Sequence, residues 1–200
     1  METEALTPPK VFLTFDDGPN EPYTSQILDI LKEFDIRATF FVCGKNVEHY
    51  PEVVKRMVRE GHVVGNHTYS HSRILTYASF LAPKFLISEI EKTAVIIQRA
   101  TGITTKLFRP PWGILAPSIQ KYLRSQGYKI VYWDIASCDW KKISAKTIEK
   151  NVVDNVKPDS IVLFHDGGED RFHKNHAETV LALRPIIQNA QSRGYAFEKT

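Results

Sequence analysis

The sequence predicts an α/β fold of about seven parallel strands joined by helices, closed as a barrel or open as a sheet. Three observations carry this. Short apolar runs of strand length alternate with stretches whose apolar residues recur at helical spacing, from residue 11 to residue 197. Glycine or proline marks many of the changeovers. The 200 residues, 42% of them hydrophobic, suit one domain with a sizeable core, and no repeat, low-complexity segment or linker divides them. The expected domain is therefore the whole chain, 1–200, with its core at about 10–198.

The first strand, 11–15, holds Val11, Phe12, Leu13 and Phe15, and Gly18 and Pro19 turn the chain beyond it. Ile27, Leu28, Leu31 and Phe34 then form the apolar stripe of a helix. A second strand at 38–42 precedes a helix that Pro51 opens, Val53, Val54, Met57 and Val58 stripe, and Gly61 ends. The third strand is 62–65. The stretch 66–82 reads as a long irregular loop rich in His, Ser, Thr and Tyr, and a loop of that length in a compact domain is usually functional. Ile87, Ile90, Ala94 and Ile97 stripe a longer helix that Gly102 stops. After a strand at 107–109, Pro117 opens a helix with Ile119, Tyr122 and Leu123, closed by Gly127. A strand at 129–134 follows, then a helix capped by Ser144 and running through Val156. The strand at 160–164 leads to a final helix from Glu178, which Pro185 should kink, and to a last strand at 195–197.

Reactive side chains gather at the ends of these strands. Asp16 and Asp17 stand where the first one stops, and neighbouring side chains on an extended backbone point to opposite sides, so the two carboxylates cannot do the same job. In α/β folds the C-terminal strand end is where chemistry is usually built. In the long loop, His67 and His71 are spaced i and i+4, which puts them on one face if the segment makes a single helical turn. Two imidazoles with one carboxylate, Asp16 or Asp17, and the remaining positions left to water would make an open hydrolytic metal site. Arg109 ends the fourth strand before the rigid turn Pro110-Pro111-Trp112-Gly113, and beside a catalytic carboxylate it would hold that group in place. His165 ends the sixth, and the ordinary imidazole pKa of about 6.5 suits a proton donor near neutral pH.

Composition removes other classes of function. The formal net charge is +3, with no Lys/Arg cluster interleaved with aromatics, so nucleic acid is a poor candidate partner. No apolar run approaches the roughly 18 residues of a membrane span. No protein partner is indicated. Cys43 and Cys138 belong to no CxxC pair and are expected to stay free thiols just beyond two strands. Met1-Glu2-Thr3-Glu4 has neither the basic start nor the apolar stretch of an export signal. The expectation is a cytoplasmic protein if the chain is complete, and an extracytoplasmic one if it is a trimmed form.

Five segments in order carry a family resemblance: Thr14-Phe15-Asp16-Asp17-Gly18-Pro19, His67-Thr68-Tyr69-Ser70-His71, Arg109-Pro110-Pro111-Trp112-Gly113, Asp139-Trp140 and Leu163-Phe164-His165-Asp166. They resemble the five motifs of the polysaccharide deacetylases, the carbohydrate esterase family that includes nodulation-type chitooligosaccharide deacetylases and peptidoglycan N-acetylglucosamine deacetylases. Arg37-Ala38-Thr39-Phe40-Phe41-Val42 and Gly61-His62-Val63-Val64-Gly65-Asn66-His67 match as well, so the resemblance spans nearly the whole chain.

The resemblance implies a distorted (β/α) barrel with its site at the C-terminal strand ends, and it separates the two aspartates. Asp17, His67 and His71 would ligate one divalent metal, Zn²⁺ in first place, with Co²⁺, Ni²⁺, Mn²⁺ or Fe²⁺ also suiting the set. Asp16 would be the general base, held by Arg109. His165 would be the general acid, supported by Asp139. Pro111, Trp112, Trp140 and Leu163 would line the groove around the acetyl group, and the backbone N–H of Trp112 would assist the oxyanion. The fourth motif departs from the family in one respect: Ala136 stands where a further acidic residue is common, and Asp134 is expected to substitute for it in part. The implied activity is metal-dependent hydrolysis of N-acetyl groups on N-acetylglucosamine oligomers or polymers (chitooligosaccharide, peptidoglycan or exopolysaccharide), with release of acetate. An O-acetyl esterase acting on acetylated xylan, or a carbohydrate-binding module of the same fold that has lost turnover, are the alternatives. No base, acid or ligand is missing to favour the module.

Overall fold

The computed structural model describes residues 8–168 and 175–200. At its centre lies β1 (Lys10–Asp16), an apolar strand that only full burial explains, paired in parallel with β2 (Thr39–Val42) on one side and β7 (Ser160–His165) on the other. β3 (Val63–Asn66), β4 (Leu107–Phe108) and β5 (Lys129–Ile130) extend the sheet beyond β2, and β6 (Ile135–Ala136) extends it beyond β7. The order is therefore β5-β4-β3-β2-β1-β7-β6, with β8 (Ala196–Phe197) pairing with the start of β1. All the pairings among the described residues are parallel, and the sheet curls into the expected distorted barrel.

Strand alternation sorts side chains between two unequal interiors. Val11, Leu13 and Phe15 of β1 face outward, where they join Phe40, Val42, Val64, Val162 and Phe164 and the apolar stripes of the helices in one large core. Phe15 lies stacked between Phe40 and Phe164, with ring centroids 5.0 and 5.5 Å away. The inward positions form only a small apolar cluster, Phe41, Leu107 and Val131, with Val63 and Ile161 against it. On the inward face of β1, the half-buried Phe12 is followed by two polar residues, Thr14 and Asp16.

The helices are α1 (Tyr23–Glu33), α2 (Gly44–His49), α3 (Pro51–Arg59), α4 (Arg73–Ala78), α5 (Pro83–Thr101), α6 (Pro117–Ser125), α7 (Ala145–Val153) and α8 (Ala177–Ser192). Pro51 and Pro117 open their helices as expected, and Gly102 closes α5 in the left-handed region with φ 78°. Three expectations need correction. The stretch 66–82 is not wholly irregular, because Ser72 caps α4 within it by accepting the Leu75 N–H. α2 has no apolar periodicity and was not expected at all. α7 stops at Val153, three residues before Val156. α8 contains Pro185 within its run, and the carbonyl left without its N–H belongs to Leu181, which is 63% exposed.

The largest correction concerns 129–134. Six of the seven expected strands lie within one residue of their expected ends, but this one breaks at Ile130. Val131 still donates to the Phe108 carbonyl on the β4 side, whereas the Asp134 N–H donates to Ile161 on the β7 side. Residues 131–134 thus cross the open seam between the two edges of the sheet, and β6 is a separate strand. The N-terminal residues read for an export signal lie outside the described residues. No helix among the described residues is long and apolar enough to cross a membrane.

Candidate metal centre and its flanking groups

Register places Asp16, the last residue of β1, beside Phe41 of β2 and beside His165 at the end of β7. Asp16 and Thr14 share the inward face, and the Nη1 of Arg109 donates to both, at 2.8 Å to Asp16 Oδ1 and 2.8 Å to Thr14 Oγ1. Asp17 does not continue the alternation. It adopts φ 74°, its N–H donates to the Phe41 carbonyl at 3.2 Å, and its carbonyl accepts from Asn46 Nδ2 at 2.6 Å. The two carboxylates therefore reach one imidazole instead of parting: His67 Nε2 lies 3.3 Å from Asp17 Oδ1 and 3.7 Å from Asp16 Oδ2. A Cβ at Gly18 would fall 2.0 Å from Asp166 Oδ2, and one at Gly167 2.3 Å from the Asp17 carbonyl, so both turns require glycine.

His67 and His71 converge, though not by a helical turn. Thr68 and His71 take positive φ values of 69° and 51°, held by local bonds. The Thr68 N–H donates to Asn66 Oδ1 (2.9 Å), the His71 N–H to Thr68 Oγ1 (3.2 Å), and Ser70 donates both its N–H and its hydroxyl to Glu89 Oε2 on α5 (2.7 Å each). His71 Nε2 lies 3.3 Å from Asp17 Oδ1, the same distance as His67 Nε2.

His67 Nδ1 is 2.7 Å from the Arg109 carbonyl, and a carbonyl can only accept, so Nδ1 carries the proton and the neutral ring offers a lone pair at Nε2. Asp17 Oδ1 is buried and no hydrogen-bond donor satisfies it. One ligand atom from each of Asp17, His67 and His71 falls within 4.8 Å of the others, and all three residues are buried. A carboxylate oxygen and two imidazole nitrogens on a buried, otherwise unsatisfied carboxylate fit a divalent cation. Burial resists ionisation of Asp17, but the His71 and His67 rings outweigh it and hold the carboxyl well below its usual range. Burial also disfavours both imidazolium forms. It prevails at His71, lowering the pKa to about 4, whereas at His67 the Asp16 and Asp17 charges outweigh it.

Two supported pairs flank this centre. On one side Arg109 is fully buried, and besides Asp16 and Thr14 it donates from Nε to the Val131 carbonyl (3.2 Å) and from Nη2 to the Tyr132 carbonyl (3.0 Å). Its guanidinium lies over the Phe41 ring at 4.2 Å. On the other side His165 Nδ1 donates to Asp139 Oδ1 at 2.8 Å, and the His165 backbone N–H and Thr179 Oγ1 donate to Asp139 Oδ2 at 2.7 and 3.0 Å. Burial opposes the charged ring, yet Asp139 outweighs it and pushes the His165 pKa up to about 9. His165 is thus an imidazolium at neutral pH, with Nε2–H as its remaining donor.

The groove candidates are placed less evenly. The Trp112 ring rests on His71 with centroids 4.3 Å apart, and Trp140, 41% exposed, meets His165 edge-on at 5.4 Å. Leu163 shares the inward face with His165 but is only 3% exposed, and Pro111 is buried at the start of a 3-10 turn. Asp134 does not substitute near the acid: its carboxylate accepts the Ile161 N–H at 2.9 Å, at the opposite end of β7 from His165. Thr179 of α8 is what completes the shell around Asp139, a residue that no motif contains. Sequence reasoning also missed Asn46 and Glu89, which fix the Asp17 and histidine turns. Asp166 had been read only as part of a motif. It is fully buried, accepts from Thr24 Oγ1 at 2.7 Å, and burial with the charges of Asp17 and Asp16 raises its pKa to about 7. Cys43 and Cys138 are free thiols.

The family model described as polysaccharide deacetylase matches residues 3–131. A peptidoglycan-N-acetylglucosamine deacetylase of Bacillus cereus is 40% identical over 191 residues, which cover 94% of this chain and 66% of that protein. A peptidoglycan-N-acetylmuramic acid deacetylase of Bacillus subtilis, PdaC, is 42% identical over 186 residues, 92% of this chain but 36% of its own length. This chain therefore spans less than two thirds of each of these two relatives. Among solved structures, a crystal structure of a peptidoglycan N-acetylglucosamine deacetylase superposes with a TM-score of 0.85 at 40% identity, covering 95% of this chain and 85% of that one. With the five motifs gathered at one end of a parallel barrel, the chain belongs to the polysaccharide deacetylase family.

Proposed function

We propose that this chain is a divalent-metal-dependent hydrolase that removes N-acetyl groups from N-acetylglucosamine-containing glycans, with peptidoglycan as the first candidate substrate. The observation that carries the reading is the flanking of one Asp-His-His group by a carboxylate with a fixed cation, Asp16–Arg109, and a cation with a fixed carboxylate, His165–Asp139. Amide hydrolysis needs a group that accepts a proton from water and another that gives one to the departing amine.

Asp17, His67 and His71 would hold the metal, Zn²⁺ in first place, which when bound supplies Lewis-acid chemistry to an acetyl carbonyl and to water. Asp16 accepts the water proton: Arg109 occupies Oδ1, and Oδ2 is the oxygen turned toward His67. Asp139 holds the His165 ring through Nδ1, which leaves Nε2–H to protonate the amine nitrogen as its bond to the acetyl carbon breaks. His67 is kept in its ligating tautomer by the Arg109 carbonyl. Trp112 and Trp140 wall the two sides of the site, against His71 and His165. The names of the relatives support peptidoglycan over chitin or xylan.

The test is acetate release from N-acetylglucosamine oligomers and from purified peptidoglycan by chelator-stripped protein, before and after Zn²⁺ or Co²⁺ is restored. Release that depends on metal and is lost in Asp17→Ala, together with bound metal, is the expected outcome. Equal release by stripped and reloaded protein would overturn the proposal, as would release from acetylated xylan alone.

A further inference from the structure

Among the described residues, five of the nine exposed large apolar side chains fall within twelve consecutive residues. Ile74 and Tyr77 on α4, Phe80 and Leu81 in the turn after it, and Phe85 in the first turn of α5 are 80, 51, 52, 94 and 51% exposed. The helix α4 begins two residues beyond His71. Its inner side is anchored by the buried Thr76, Ser79 and Leu86, so the outer side chains have no place in the core. An apolar cluster of this kind on a folded surface marks an interaction site.

Charge narrows the partner. Residues 72–88 contain no Asp or Glu but include Arg73 and Lys84, both exposed. Arg73 lies over the Tyr77 ring at 6.0 Å and Lys84 over the Phe85 ring at 5.2 Å, so each cation borders an aromatic of the patch. The next acids along α5 are engaged, Glu89 by Ser70 and Glu91 by the Tyr122 hydroxyl. Protruding aliphatic and aromatic tips bordered by two cations, with no acid in the same stretch of chain, are the chemistry of an anionic lipid interface, where apolar tips enter the acyl boundary and cations meet phosphate. A glycan platform would be built from flat aromatic faces, whereas the two most exposed side chains here are the aliphatic Leu81 and Ile74.

We propose that α4 and the turn leading into α5 dock the protein peripherally on an anionic phospholipid surface. The contact is independent of the reaction assigned above, and so is its test. Metal-loaded protein is sedimented with vesicles of phosphatidylcholine alone and of phosphatidylcholine with about a third phosphatidylglycerol, at low and at high salt. The expected result is partition onto the anionic vesicles only, weakened by salt. Leu81→Ser combined with Phe85→Ser should lower the partition by at least about tenfold. Arg73→Gln combined with Lys84→Gln should lower it by about fivefold per charge. Thermal melting and metal content should stay as in the wild type in both variants. Absence of binding, equal binding to neutral vesicles, or unchanged binding by the Leu81/Phe85 variant would overturn the proposal. So would retention on insoluble peptidoglycan that this variant loses while vesicles are not bound, which would assign the patch to glycan.

Discussion

The two walls of the metal centre use the same pair of charges in opposite roles. On the β1–β4 side the proposed reaction makes the carboxylate of Asp16 the working group and the Arg109 cation its support. On the β7 side it makes the His165 cation the working group and the Asp139 carboxylate its support. The supports differ because the tasks differ. A proton acceptor is best held by a cation that cannot give up a proton, and a guanidinium does not deprotonate in proteins. A proton donor needs a ring that can release one, and the carboxylate behind it serves to raise its pKa. Burial follows the same division: Arg109 is wholly enclosed, while the His165 side chain is 15% exposed and bordered by the exposed Trp140.

The sharpest way to break this contrast is Asp16→Asn, which keeps shape and removes the proton acceptor. Turnover should fall by about 10²–10⁴-fold, with metal content by elemental analysis unchanged; a metal-loaded and active variant would remove Asp16 from its role. Next comes Arg109→Met, which strands a buried carboxylate. The expected loss is about 3–5 kcal/mol of stability in denaturant titration, accompanied by faster amide exchange of Val131 and Asp134 at the seam. A variant as stable as the wild type would show that the guanidinium is not a structural support.

Asp139→Asn tests the other wall, and its sign is opposite. The folded His165 pKa is raised from 6.5 to about 9, so the pairing stabilises the metal-free fold fully below about pH 6.5 and is lost as pH climbs through 9. The asparagine variant should lose that decline, its His165 should titrate lower by NMR, and the alkaline limb of the rate profile should move toward acid. Turnover at pH 7 should drop by about 10²-fold. An unmoved titration would mean that Asp139 does not set the ring's charge. The smallest effect is expected of Thr179→Val, which removes one hydrogen bond to Asp139. It should cost about 1.5 kcal/mol, with the alkaline limb unmoved because the Asp139 carboxylate keeps its charge and its bonds to His165.

What the sequence disclosed depended on how far each support lies from what it holds. The strands were legible because their apolar runs are buried on both faces, and the longer helices because their stripes repeat. The proposed metal ligands and both proposed working groups stand in compact motifs at or just beyond strand ends. The short helices α2 and α4 carry no such stripe. The break after Ile130 was hidden because the carbonyls of Val131 and Tyr132 are taken by the side chain of Arg109, more than twenty residues earlier, and not by a strand. The meeting of His67 and His71 was read correctly but for the wrong reason, since positive φ values and not a helical turn bring them together. Asp134 was misread because it was assigned to a strand that does not extend that far. Thr179 was invisible: it lies 40 positions from Asp139, on a helix face that looks like ordinary packing.

Arg109 has a consequence for how such a chain can change over generations. Its side chain holds Asp16, spans the seam at Val131 and Tyr132, and its own carbonyl fixes His67. Loss of function therefore has a permitted order. A descendant copy can replace Asp16 by another hydrogen-bond acceptor and keep a closed barrel, because the guanidinium still joins Thr14 of β1 to the Val131 and Tyr132 carbonyls. It cannot discard the guanidinium first without opening the fold. Silent descendants of this chain would be expected to retain the arginine long after the aspartate it served has gone.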